Sequence, residues 1–106
     1  MTIVKAPVEN PSVNAGEIVI TPLHGARNMG SAIFAPGSRG PAEGMTSHAE
    51  DEYAYTISGS IKCFSGGKLC EMKAGDTSFI PAGEEHYSYN DSNEPCTLVY
   101  VLVKKN

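Results

Sequence analysis

Three side chains in this sequence have the types and spacing to share one divalent ion: His48, Glu52 and His86. Two neutral imidazoles and one carboxylate are the donor set of facial iron(II) sites, and also of three-ligand catalytic zinc. Either arrangement leaves coordination positions for water or a substrate. His86 lies in the run Gly75 to Asn90, which compresses a strand, a tight Pro81-Ala82-Gly83 turn and the start of the next strand. His48 and Glu52 belong to a second spaced set, Gly40, Thr46, His48, Glu52 and Gly59. The competing reading is that both histidines are ordinary hydrogen-bonded interior residues around no metal.

Alternation along a strand says what else faces the ion, because residues two apart share a face. Thr46 and His48 are expected to point inward. A charged turn, Ala49-Glu50-Asp51, then reverses the chain, and Glu52 opens the returning strand on the same inner face. Ala54, Thr56 and Ser58 follow it inward, while Tyr53, Tyr55 and Ile57 point away. The same parity puts Ser88 and Asn90 beside His86, with Tyr87 and Tyr89 outside. A bulge would shift this register by one residue. The expected pocket residues are therefore Thr46, Thr56, Ser88 and Asn90, set among small side chains that leave room for a ligand. All four hydrogen-bond, and none titrates near neutrality. Metal-centred chemistry is thus favoured over acid–base work. Glu50 and Asp51 are expected to be solvated, His24 to sit on the surface or rim, and Arg27 and Arg39 to be loop cations able to pair with an anionic substrate.

The elements that must hold these residues are short. The 106 residues amount to one small domain, with eleven glycines and seven prolines dividing apolar runs rich in Val, Ile, Tyr, Thr and Phe. The expected strands are 16–20, 31–35, 45–48, 52–58, 60–65, 68–72, 77–80, 86–89 and 96–103, with loops at 22–30 and 38–44. Such a series of short strands implies an all-β sandwich or barrel. Residues 1–14, with Pro7 and Pro11, form a candidate arm that packs on a neighbouring subunit.

With these residues laid out, the chain resembles the cupin family of small double-stranded β-helix (jelly-roll) proteins. The second motif of that family, Gly-x5-Pro-x-Gly-x2-His-x3-Asn, is matched by Gly75, Pro81, Gly83, His86 and Asn90. The first, Gly-x5-His-x-His-x3-Glu-x6-Gly, is matched by Gly40, His48, Glu52 and Gly59, with Thr46 where the family has its first histidine. The motif-level resemblance spans 40–90. It implies a metal centre on His48, Glu52 and His86 holding Fe, Mn, Ni or Zn, and a small-molecule ligand or substrate. The activity implied is of dioxygenase, isomerase or lyase type. The alternative is a non-catalytic sensor like the cupin domains of some bacterial regulators, which Glu52-Tyr53-Ala54-Tyr55 resembles, although no helix-turn-helix precedes it.

Partners follow from charge and exposure. A net charge of -4, with eight scattered Lys and Arg, offers no basic face for nucleic acid. No apolar run approaches the ~18 residues of a membrane span and no leader is visible, so a soluble cytoplasmic protein is expected. The apolar-aromatic outer face of Tyr53, Tyr55 and Ile57 needs covering, which predicts a homodimer with a two-fold interface. Among three cysteines, Cys63 and Cys70 face each other if Gly66-Gly67 is a two-residue hairpin loop. In a cytosolic setting they are expected to be reduced.

Overall fold

The computed structural model describes residues 1–5 and 14–105. The proposed N-terminal arm lies mostly outside those residues. The described residues form nine strands: β1 Ile18–Pro22, β2 Met29–Phe34, β3 Arg39–Gly40, β4 Glu50–Ser58, β5 Ser60–Ser65, β6 Lys68–Lys73, β7 Thr77–Ile80, β8 His86–Tyr89 and β9 Cys96–Lys104. A single 3-10 turn, Leu23–Gly25, joins β1 to β2. The strands form a five-stranded sheet in the order β1-β2-β9-β4-β7 and a four-stranded sheet in the order β3-β8-β5-β6. All pairings are antiparallel. The strand pattern implied an all-β sandwich or barrel, and the arrangement is the jelly roll that the resemblance implied.

Alternation builds the interior. Ala32, Ala54 and Leu98 from the larger sheet meet Ile61 and Met72 from the smaller one, with Cys96 closing the cluster. Phe34, Cys63 and Tyr100 pack against it from the side. Because residues opposite each other in a ladder share a face, the register defines inner rows: Thr56, Leu98, Ala32 and Ile20 form one row, and Ile61 pairs with Met72 in another. On β4 the alternation is direct, with Ala54 and Thr56 buried and Tyr53, Tyr55 and Ile57 exposed.

The alternation breaks at Ser58, which is exposed rather than inward. Thr56 pairs with Leu98 but Ser58 pairs with Thr97, so Ile57 is the extra residue of a bulge. The sharp corner that follows uses Gly59 at φ +77, where an added Cβ would lie 2.2 Å from the Pro95 carbonyl oxygen. No other residue fits there. Gly66 and Gly67, both at positive φ, close the β5–β6 hairpin as expected, and Cys63 stands opposite Cys70. All three cysteines are free.

Two expected boundaries move for a physical reason. Residues 45–48 form no strand, and Thr46 makes only an isolated bridge to His86. Glu50 and Asp51 do not form a reversing turn; they already belong to β4, paired with Lys104 and Val103 of β9. The chain is leaving one sheet for the other here, so residues 47–49 have no continuous ladder to join. A two-residue strand, β3, forms within the expected 38–44 loop by pairing with Tyr89 and Ser88.

Candidate metal centre and cavity

The crossing segment and the two sheets bring the proposed ligands together. Glu52 projects from β4 of the five-stranded sheet, His86 opens β8 of the four-stranded sheet, and His48 lies on the segment between them. One donor atom from each lies within 4.8 Å of the others. Backbone bonds hold the three elements in place. Thr46 and His86 exchange both N–H···O bonds at 2.9 Å, and the Gly83 N–H donates to the His48 carbonyl at 2.8 Å. Asp51 is not free in solvent. Its carboxylate accepts from the Ala82 N–H at 2.8 Å and ties the Pro81–Gly83 turn to the start of β4.

Both imidazoles are oriented by the same device. His48 Nδ1 lies 2.9 Å from the Glu50 carbonyl oxygen, and His86 Nδ1 lies 2.9 Å from the Glu84 carbonyl oxygen. A carbonyl only accepts, so each Nδ1 carries the proton. In the neutral rings, Nε2 is therefore the bare lone pair. Such outer hydrogen bonds fix tautomer and ring orientation in metal-binding histidines. The rings meet edge to face, with centroids 5.1 Å apart.

His48 Nε2 is buried and has no hydrogen-bond partner. Across the cluster, Glu52 Oε1 lies 3.4 Å from it. A lone pair facing a carboxylate oxygen is a repulsive pair of acceptors unless positive charge sits with them. The donor set and the orphaned nitrogen thus fit a divalent cation.

The triad opens into a cavity of about 440 Å³ between the sheets, a size typical of small-molecule pockets. Of the four expected pocket residues, Thr46 and Ser88 line it. Thr56 and Asn90 do not. Thr56 is fully buried against Met72, its hydroxyl directed to Sδ at 3.8 Å. Asn90 Nδ2 donates to the carbonyls of Phe34 and Glu94, both at 2.8 Å, and its Oδ1 accepts from the backbone and hydroxyl of Ser92. Asn90 therefore ties the β8–β9 loop to the end of β2. Its parity was read correctly, but a buried amide takes the nearest unpaired carbonyls.

Of the loop residues, His24 falls in the 3-10 turn, and neither it nor Arg27 lines the cavity. Arg39 donates to the carbonyls of Pro41 and Gly44 and sits 4.2 Å from the Tyr87 ring centre, away from the cavity. Of the small β4 residues expected inside, only Ala54 lines the cavity, and larger side chains complete it: Ile18, Phe34, Met72, Ile80, Leu98 and Tyr100.

Ser65, Lys68 and Glu84 at its edge lay beyond the sequence reading. The Gly66-Gly67 loop was the signal that could have found the first two, since it fixes the parity of the whole hairpin. Cys63 and Cys70 line the same wall. Burial pushes the Cys63 thiol up, partly offset by the Ser88 hydroxyl donating to its sulfur at 3.3 Å.

Residues 30–102 match the protein-family model described as a cupin domain. No curated protein matches the chain. Among solved structures, a predicted oxalate decarboxylase from Thermotoga maritima is 28% identical, with a TM-score of 0.65, over 73% of this chain. The match spans 65% of that protein's length. The Cupin_2 domain of an XRE family transcriptional regulator from Enterobacter cloacae is 18% identical, with a TM-score of 0.70, covering 84% of this chain and 98% of that one. A cupin superfamily protein from Desulfitobacterium hafniense is 11% identical, with a TM-score of 0.73, covering 99% of this chain and all of the other. The last two share the fold.

Proposed function

The chain belongs to the cupin domain family, and on that premise we propose that it is a metal-dependent enzyme acting on a small molecule, with His48, Glu52 and His86 as the ligands. The observation that carries this reading is the buried, unpartnered His48 Nε2 facing Glu52, with both Nδ1 protons committed to carbonyls. When bound, a divalent ion supplies a Lewis-acid centre with open positions for a substrate oxygen or for O₂. The chain's own residues do the rest. The two imidazoles and Glu52 hold the ion against one wall, and Thr46 and Ser88 offer hydroxyls for orientation. The apolar interior keeps water off the substrate. Thr46 and Ser88, the hydroxyls that line the cavity with the triad, do not titrate near neutrality, which favours dioxygenase, isomerase or lyase chemistry centred on the ion over proton shuttling by side chains.

A second reading is a non-catalytic small-molecule sensor, and the likeness to the cupin domain of a transcriptional regulator accords with it. Metal analysis of the isolated protein tests the site. A small-molecule turnover screen with Fe, Mn, Ni or Zn restored, following oxygen uptake for iron(II), then separates enzyme from sensor. Ligand binding without turnover under any of the four metals would favour the sensor.

The proposal includes a homodimer in the cytoplasm, with reduced Cys63 and Cys70. Its support is the outer face of the five-stranded sheet, where Tyr53, Tyr55, Ile57, Phe79 and Val103 are all exposed. Sedimentation equilibrium of the native chain and of Tyr55→Glu tests it, since a charge in the middle of that face should give monomers. No helix among the described residues is long and apolar enough to cross a membrane.

A further inference from the structure

The inner face of the four-stranded sheet is graded from charge to hydrocarbon. His86 of β8 stands opposite Ser65 of β5, which stands opposite Lys68 of β6, so these three form one row across the sheet. The next row is Ser88, Cys63 and Cys70, and the row beyond it ends in Ile61 and Met72. Adjacent strands are about 4.8 Å apart, which puts Lys68 Cα roughly 10 Å from His86 Cα. An extended lysine side chain spans more than half of that distance.

Among the described residues Lys68 is the only Lys or Arg lining the cavity; its side chain is exposed at the rim and makes no ion pair. The one carboxylate at that edge besides Glu52 is Glu84, and it is engaged by the Ser65 hydroxyl at 2.7 Å. A divalent ion and one ammonium set against two carboxylates leave the cavity with a net charge of plus one. Phe34, Met72 and Leu98 below this rim offer only hydrocarbon. A polyhydroxylated ligand would bury its hydroxyls there without partners. A neutral apolar one would make no use of the metal's open face or of the ammonium, which stands in water at the rim.

We propose that the cavity takes a small organic monoanion, a carboxylate with an apolar body, whose charged group lies between the metal's open face and the Lys68 ammonium while its hydrocarbon fills the space above Phe34, Met72 and Leu98. This inference rests on the metal reading above and adds the ligand's chemical class and the residue that selects it. Lys68 acts by pairing charge with the ligand and does not touch the ligands of the ion.

The test is calorimetric titration of the zinc-loaded full chain with two matched pairs, hexanoate and hexanamide, and phenylacetate and phenylacetamide. At least one carboxylate should bind roughly tenfold tighter than its amide, the usual worth of one charge-assisted contact. Lys68→Met should weaken carboxylate binding roughly tenfold with zinc affinity and amide affinity unchanged, the remaining preference being the metal's, and Lys68→Arg should restore it. If zinc binds but no carboxylate outbinds its amide, or if Lys68→Met binds carboxylates as tightly as the wild type, the inference is overturned and the metal site stands. If the wild-type chain takes up no zinc, iron, manganese or nickel, both fall together.

Discussion

Glu52→Gln separates a ligand from a structural carboxylate, because its effects with and without metal are expected to have opposite signs. In the metal-free protein the Glu52 side chain is 22% exposed, and the bare Nε2 of neutral His48 lies 3.4 Å from its carboxylate. That contact holds no ion pair to lose. The glutamine amide can donate to the orphaned Nε2, so the metal-free variant should melt at the wild-type temperature or slightly above it. Metal reverses the ranking. At an ion concentration one hundred times Kd the wild type gains about 2.7 kcal/mol, which for a domain of this size raises Tm by roughly 10–20 °C. Removing the ligand charge should weaken the ion about 100-fold or more, comparable to the upper range for lost supporting contacts around metal ligands. The same ion concentration then only matches Kd and stabilises by about 0.4 kcal/mol, or roughly 2–3 °C. Scanning calorimetry of both proteins with and without zinc, paired with metal content after dialysis, reads all four values. An equal metal-induced shift in the two proteins would remove Glu52 from the site. A variant that melts well below wild type without metal would give Glu52 a structural role.

Thr46 and His86 form a doubly hydrogen-bonded cross-strand pair on one face, so Thr46→His should place a third imidazole beside the site and tighten metal binding by roughly tenfold or more; equal affinity in a competition titration would mean that position 46 does not reach the ion. Asn90→Ala should cost about 2–3 kcal/mol in denaturant unfolding, since it strands the buried carbonyls of Phe34 and Glu94. Zinc affinity should not change, because that amide lies outside the cavity. Burial pushes the Cys96 thiol from 9.0 up to about 11, so the unfolded chain loses that proton first as pH rises. Stability should therefore fall between about pH 9 and 11, by of the order of 2 kcal/mol, and Cys96→Ala should remove this part of the alkaline slope in urea titrations.

The donor set, the strand count and the parity of β4 are all written in the order of residues. A period of two needs only one correct starting point, and the Pro81-Ala82-Gly83 turn and Gly66-Gly67 loop supply local chemistry strong enough to fix β5 to β8. What the chain order could not decide arose wherever a residue's partner came from a distant element. Residues 45–48 are extended but have no ladder, because they pass between sheets. Ser58 left the inner face because a bulge at Ile57 shifts the register, ahead of a corner that Pro95 and Cys96 crowd so closely that only glycine fits at 59. Asn90 and Thr56 had the right parity and still missed the cavity: the amide found the Phe34 and Glu94 carbonyls, and the hydroxyl found Met72. Lys68 reached the rim through two successive cross-strand pairings that no local pattern records. Local composition and periodicity decide which face a side chain takes. Only the packing of two sheets decides what that face meets, since the hydrogen-bond partners and the walls of the cavity come from residues distant in sequence.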